Sequence, residues 1–210
     1  KFPLTQVTYN GKPVIVEGGA IDVNGKGTLL TSEECLMHPS IQVRNANFSK
    51  ADYEAVFKEY LGVTNVIWVG DGIKGDDTHG HIDDLCRFVN EDTIVTIVED
   101  DKKDANYQPL QDNLKRLQNA KLENGQTPKI VCLPMPKRLD FEDLRLPASY
   151  ANFLILNQCV LVPTFNDIKD RIALNILADC FPDREIIGIS ATDFIWGFGT
   201  LHCLSQQIPV

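Results

Sequence analysis

An α/β fold is predicted, and two observations carry the prediction. Short apolar runs of strand character recur along the chain, and amphipathic stretches bounded by capping residues stand between them. In chain order, residues 31–34 (TSEE) have the form of a capping box and open a short helix. Residues 49–61 predict a longer helix. Ser49 suits its N-cap, Tyr53, Val56, Phe57, Tyr60 and Leu61 form an apolar stripe, and Gly62 suits its C-terminal cap. Strands are expected at 63–69 (VTNVIWV) and 93–98 (TIVTIV). Leu110, Leu114 and Leu117 mark a second long helix that ends near Gly125, ahead of a strand at 129–133. Asn157 and Gln158 interrupt the apolar run 153–162, which predicts two short strands joined by a tight turn. Ile168, Ile172, Ile176 and Cys180, at spacing four, predict a helix over 167–180 with Pro182 beyond its end. A strand at 185–189 closes the series. There is no low-complexity linker and no strict sequence repeat.

The 210 residues suit one domain or part of a larger one, and 43% apolar content argues against disorder. No apolar run approaches the length of a membrane span. Residues 1–12 lack the apolar stretch of a secretion signal, so a cytoplasmic location is expected. A net charge of −9 argues against nucleic acid as partner and is compatible with a cationic substrate, although an acidic surface is also common in soluble proteins. None of the six cysteines forms a CxxC pair, so a zinc ribbon or thioredoxin motif is not supported. Free thiols in a reducing compartment, most of them buried, are expected.

Three segments carry chemistry. The first is GDDTHGHIDDLCRF at 75–88. Were it extended, His79, His81 and Asp83 would share a face, which suits acid/base work or a cation. HxHxD resembles the signature of metallo-β-lactamase-like hydrolases, but only His38 and His202 remain elsewhere, so that dinuclear site cannot be assembled. A polar loop capped by its own Asp residues is the plain alternative. The second is Gly197-Phe198-Gly199 followed by Cys203, a candidate nucleophile if a partner lowers its pKa and otherwise a buried structural thiol. The third is Glu17-Gly18-Gly19, a carboxylate beside flexible backbone or an ordinary turn. GxGxxG, GxxxxGK[ST] and GxSxG are all absent.

Together these segments resemble the agmatine deiminase family, which includes the bacterial type of peptidylarginine deiminase. The similarity runs in order through Glu17–Asp22, Gly25–Thr31, Glu33–Leu36, Gly75–Asp83, Tyr150–Phe153, Phe181–Arg184 and Leu201-His202-Cys203 with Gln206-Gln207. It implies the pentein fold, a fan of five ββαβ-like units about a pseudo-fivefold axis. It also implies hydrolysis of a guanidinium through a covalent cysteine adduct, without metal or other cofactor. By motif, Cys203 would be the nucleophile, His81 the proton shuttle, Asp83 the guanidinium ligand and Glu17 the carboxylate that orients His81. Asn152 would support the site and His79 would be loop packing, while Asp76 and Asp77 are candidates to bind the second cation of agmatine, with capping of the loop as the alternative.

The implied reaction is agmatine plus water to N-carbamoylputrescine plus ammonia, with peptidyl arginine as the rival substrate and a non-catalytic relative as the rival class. Expected partners are a small cationic guanidinium, no nucleic acid and no membrane; self-association into a homo-oligomer stays open. Departures are the missing upstream Trp-x-Arg-Asp region, Phe198 in place of a glycine and Ser205 where threonine is common. Residues 1–210 are therefore expected to be the C-terminal portion of a single pentein domain that needs its N-terminal part to turn over.

Overall fold

The computed structural model describes residues 5–208; residues 1–4 of the segment searched for a secretion signal lie outside the described residues. The chain opens on a hairpin of β1 (Thr8–Tyr9) and β2 (Lys12–Pro13), turned by Asn10 and Gly11, both at positive φ. An Asn-Gly pair suits that left-handed turn.

Three units of one design follow. In the first, β3 (Asp22–Val23) pairs antiparallel with β4 (Thr28–Ser32), and after α1 (Glu33–Met37) and α2 (Lys50–Leu61) the chain returns as β5 (Asn65–Val69), parallel to β4. The second has β6 (Cys86–Phe88), β7 (Thr93–Val98), α3 (Tyr107–Asn119) and β8 (Lys129–Pro134) in the same arrangement. After a small hairpin of β9 (Asp140–Phe141) and β10 (Leu144–Arg145), the third has β11 (Leu154–Ile155), β12 (Cys159–Thr164), α4 (Ile168–Cys180) and β13 (Glu185–Ser190). Parallel neighbours need a crossover helix, which is why helical and strand patterns alternate in the sequence. All five β4 residues are buried, and β7 is buried over its first five.

One side chain ties the units together. The buried Arg87 of β6 has Nε 3.1 Å from Asp22 Oδ1 of β3 and donates from Nη1 to the Phe153 carbonyl, just before β11, at 3.2 Å. The larger core gathers Leu30, Ile67, Ile94, Ile97, Val160 and Val162 from the strands, with Leu110 and Leu117 of α3 and Ala173 and Leu177 of α4. A smaller cluster packs Tyr53 and Phe57 of α2 on Leu29 and Leu36. Burying an apolar side chain such as Phe57 stabilises by roughly 1.5–3 kcal/mol.

Most element expectations hold, with five corrections. Helix α2 has the Ser49 cap, reciprocated by Asp52, and the left-handed Gly62 C-cap, but Tyr60 and Leu61 are exposed. At 31–34 no capping box forms: Ser32 is the N-cap, Thr31 Oγ1 donates to the Ala20 carbonyl, and the Glu34 carboxylate accepts from Gly72 N–H. Strand β5 starts two residues late, because the N–H groups of Thr64 and Asn65 both donate to the Gly27 carbonyl outside the ladder. Helix α3 stops at Asn119, since Leu122 must turn into the core; Gly125 instead serves a tight turn. On α4 only the second half of the row at spacing four, Ile176 and Cys180, packs against the core. Ile168 is 88% and Ile172 49% exposed, while Ala173 and Leu177 are buried, because a strict four-residue step drifts around a 3.6-residue helix. The thiols are all free, but only Cys35 and Cys86 are buried, fewer than expected. Among the described residues no helix is long and apolar enough to cross a membrane.

Candidate active site

The loop after β5 is shaped by one carboxylate. Asp76 accepts from the N–H groups of Thr78, Gly80 and His81, at 2.8, 2.7 and 3.2 Å. Gly80, at φ +87°, passes so close to Gly72 that a Cβ on Gly72 would sit 2.5 Å from its Cα. His79 is forced to φ +57°, and its Nδ1 lies 3.8 Å from Glu34 Oε1. Residues Ile82–Asp84 then form a 3-10 turn. The segment is therefore not extended, and the alternation that would put His79, His81 and Asp83 on one face does not occur. His81 and Asp83 nevertheless meet.

Gly19 is where they meet. A Cβ built on it would stand 2.5 Å from His81 Nδ1 and 2.9 Å from Asp83 Oδ2. The other ring nitrogen, His81 Nε2, lies 4.0 Å from Glu17 Oε1. Glu17 is fixed in turn by Arg44, whose buried guanidinium donates to Glu17 Oε1 at 2.8 Å and to the carbonyls of Cys35 and Thr78 at 3.1 and 2.7 Å.

Cys203 approaches from the far end of the chain, in an exposed turn rather than as a buried structural thiol. Its Sγ is 3.4 Å from Asp83 Oδ2, as donor, and accepts from Asn152 Nδ2 at 3.0 Å. Asn152 is buried and fully committed inside the protein. Its Nδ2 also donates to Asp84 Oδ1 at 3.0 Å, and its Oδ1 accepts from Thr200 Oγ1 and the N–H groups of His202 and Cys203. It thus stands behind Cys203 as a support, not at the cavity wall. Gly199 permits the turn, since a Cβ there would be 2.7 Å from Cys203 Cβ. Phe198 takes φ +60°, a left-handed conformation where glycine is the easier residue, and Ser205 Oγ ties the turn to the His202 carbonyl at 2.9 Å.

Glu17, His81, Asp83, Cys203 and Asp77 line one cavity of about 340 Å³. Asp77 is at its exposed mouth, and its carbonyl accepts from Gln42 Nε2 at 2.6 Å. Asp83 is completely buried, and its Oδ1 has no hydrogen-bond partner. Two neighbours were not picked out from the sequence. His202 Nδ1–H donates to Asp83 Oδ2 at 2.7 Å, and buried Asp84 packs beside Asp83. The available signals were a histidine flanking the candidate nucleophile and an Asp-Asp pair.

Burial raises the Asp84 carboxyl well above the usual range, and repulsion from Asp83 and Asp76 adds to it. Although Cys203 is exposed as a residue, the protein packed around its sulfur desolvates the thiol and pushes it up, with Asp84 and Asp83 adding to the rise and the Asn152 hydrogen bond opposing it. The pocket therefore sets a thiol beside carboxylates with spare acceptor capacity, an arrangement that suits a cation. Among the described residues, two groups bring three potential metal-ligand atoms within 4.8 Å of one another: Glu17, Cys35 and His81, and Asp83, Asp84 and Cys203. Neither contains His79, so the HxHxD reading does not assemble.

The sequence matches the Porphyromonas-type peptidyl-arginine deiminase family over residues 2–209. It is 35% identical to an agmatine deiminase of Pseudomonas fluorescens, covering 96% of this chain and 59% of that protein. An agmatine deiminase structure from Enterococcus faecalis is similar at 35% identity with a TM-score of 0.87, over 93% of this chain and 57% of that one. A substrate-bound agmatine deiminase variant from C. jejuni is similar at 38% identity with a TM-score of 0.82, over 90% and 54%. These likenesses carry the pentein fold expected from the sequence. The chain spans 57–59% of the length of the curated relatives it matches.

Proposed function

We propose that this chain, which belongs to the Porphyromonas-type peptidyl-arginine deiminase family, carries the reacting groups of a hydrolase that removes ammonia from a guanidinium substrate, agmatine first. The observation that supports this reading best is the convergence of Cys203 Sγ, the unpartnered Asp83 Oδ1 and His81 on one cavity.

A guanidinium is planar, cationic and resonance-stabilised, so its carbon resists attack. Asp83 Oδ1 accepts from it and fixes its plane while Oδ2 stays with His202. A unit charge about 4 Å from the sulfur, at an effective dielectric of about 20, is worth about 4 kcal/mol. That favours the thiolate by about three pH units, which offsets much of the rise imposed on Cys203 by burial and the two carboxylates and leaves the proton to be taken by His81. The thiol proton passes to His81. Sγ bonds to the guanidinium carbon, and the tetrahedral adduct collapses as His81 returns a proton to the departing ammonia. The resulting thiouronium is attacked by water, whose proton goes to His81. The C–S bond then breaks to release the ureido product, and the thiolate recovers its proton. Glu17, held by Arg44, faces His81 Nε2 and stabilises the imidazolium that forms between steps. Holding the reacting atoms together contributes up to about 7–11 kcal/mol.

Agmatine has a second cation at its far end, which suits Asp77 at the cavity mouth. The rival substrate, peptidyl arginine, is favoured by the description of the matched family. Three ββαβ units where the pentein fan has five support the reading of the chain as one portion of a single domain. Free thiols fit a cytoplasmic location, and the exposed Ile168 and Ile172 of α4 are compatible with self-association. The assay is direct: ureido product from agmatine against a blocked arginyl peptide, with the complete protein. Reaction of the peptide alone would overturn the agmatine assignment, and reaction of neither would overturn the hydrolase.

A further inference from the structure

His81 turns one edge toward Gly19 and Asp83 and the other, Nε2, toward Glu17. On that second edge Glu17, Cys35 and His81 each offer a ligand atom within 4.8 Å of the other two. Two polar atoms there are unsatisfied: Glu17 Oε2 and His81 Nε2 are both sealed from solvent without a hydrogen-bond partner, and His81 is only 7% exposed. A buried polar atom left unpaired costs about 1–3 kcal/mol. Two side by side, next to a thiol, describe a place for a shared cation.

We propose that Glu17, His81 and Cys35 form a site for a soft divalent transition metal, Zn²⁺ foremost, and that its occupancy shuts off deimination by taking His81 Nε2. The binding half stands on geometry alone; the inhibition half rests on the function proposed above.

One carboxylate, one imidazole and one thiolate, with water in the fourth position, is a ligand set that zinc accepts. At ordinary zinc–ligand lengths the donors of a tetrahedral site lie about 3.4–3.6 Å apart. His81 Nε2 lies 4.0 Å from the nearer oxygen of the Glu17 carboxylate and the three residues offer ligand atoms within 4.8 Å of one another, so closing on the ion through Oε2 needs only small side-chain shifts. Magnesium and calcium, which seek all-oxygen sets, do not fit a histidine and a thiol. Burial pushes the Cys35 thiol up to about 12, with Arg44 pulling the other way. Binding therefore displaces the thiol proton as the Zn–S bond forms. Arg44 opposes the incoming charge, but it holds Oε1 and leaves Oε2 to the metal. Entry is past Glu17, whose side chain is 39% exposed at the cavity wall. A metallated His81 cannot exchange the proton that the reaction needs.

The test uses the complete protein and two variants, with folding checked by circular dichroism. Co²⁺ is added as a spectroscopic probe to Cys203→Ser, which removes the other nearby thiol. The expected result is one equivalent bound with a thiolate-to-cobalt charge-transfer band, which disappears in the Cys203→Ser/Cys35→Ala double variant. Cys35→Ala alone is expected to keep turnover and to need at least roughly tenfold more Zn²⁺ for half-inhibition than wild type. If Cys35→Ala misfolds, Cys35→Ser replaces it in both arms. No band in Cys203→Ser, or equal Zn²⁺ sensitivity with and without Cys35, overturns the proposal while leaving the deiminase reading intact. A Cys35-dependent band in a protein that turns over no guanidinium keeps the metal site and overturns the function.

Discussion

Gly18 and Gly19 are adjacent in the sequence, yet the structure gives them opposite sensitivities. At Gly19 a methyl group would stand 2.5 Å from His81 Nδ1 and 2.9 Å from Asp83 Oδ2, both well inside ordinary contact. At Gly18 its one neighbour within 4 Å is Gln206 Oε1 at 3.7 Å, an ordinary contact. Neither glycine sits in the left-handed region, so a methyl adds no backbone strain and the difference is steric. In Gly19→Ala the imidazole has to retreat by about 0.9 Å to restore contact, and misplacement by about 1 Å costs about 100-fold in rate, or about 2.7 kcal/mol of barrier. Overpacking adds about 1–3 kcal/mol of destabilisation. The assay is kcat/KM for ureido product with the complete protein, with urea unfolding alongside to separate the two costs. Gly19→Ala is expected to lose about 100-fold and Gly18→Ala less than about threefold. A folded Gly19→Ala with near-normal kcat/KM would refute the placement of His81 and Asp83 over this glycine.

Three further outcomes follow from the geometry. Asp84→Asn removes a negative charge that helps hold the Cys203 thiol up, so the pH midpoint of Cys203 alkylation by iodoacetamide should move down; an unchanged or higher midpoint contradicts the assigned cause. Arg44→Ala frees Glu17 and the Thr78 carbonyl together, and is expected to lower kcat about 10- to 100-fold with little change in KM, whereas a pure KM effect would mean that Arg44 serves binding instead. Arg87→Ala leaves the half-buried Asp22 carboxylate without its cation and the three units untied, and should cost up to about 3–5 kcal/mol in urea unfolding; a cost below about 1 kcal/mol would remove Arg87 from that role.

What could be read from the sequence was local. The Ser49 cap and Gly62 terminator of α2 work through backbone groups a few residues away, so they are visible in a short window. The full core face of α4 is not legible in its row at spacing four, because the identity of a side chain does not say which side the core is on: Ala173, a small residue, packs there with Ile176 and Cys180 while Ile168 faces water. The threefold ββαβ design left no trace as a repeat, because it lies in the pairing of strands and not in residue identity. Cys203 and Asp83 are 120 residues apart, and no spacing rule joins them; only the resemblance did. The HxHxD segment showed its residue types correctly, but the Asp76-capped turn and left-handed His79 set its geometry. Arg44 carried no signal at all, since a lone arginine in a loop looks like surface until Glu17 is seen to close on it.

The central claim is that Cys203 forms the covalent bond to carbon. The measurement is intact-protein and peptide mass spectrometry on the complete protein, quenched in acid during turnover of agmatine, in parallel with Cys203→Ser. The account predicts a mass gain equal to the substrate less ammonia, located on the peptide holding Cys203, and no turnover or adduct in Cys203→Ser. Ureido product formed by Cys203→Ser at the wild-type rate, or an adduct located on another residue, would contradict it.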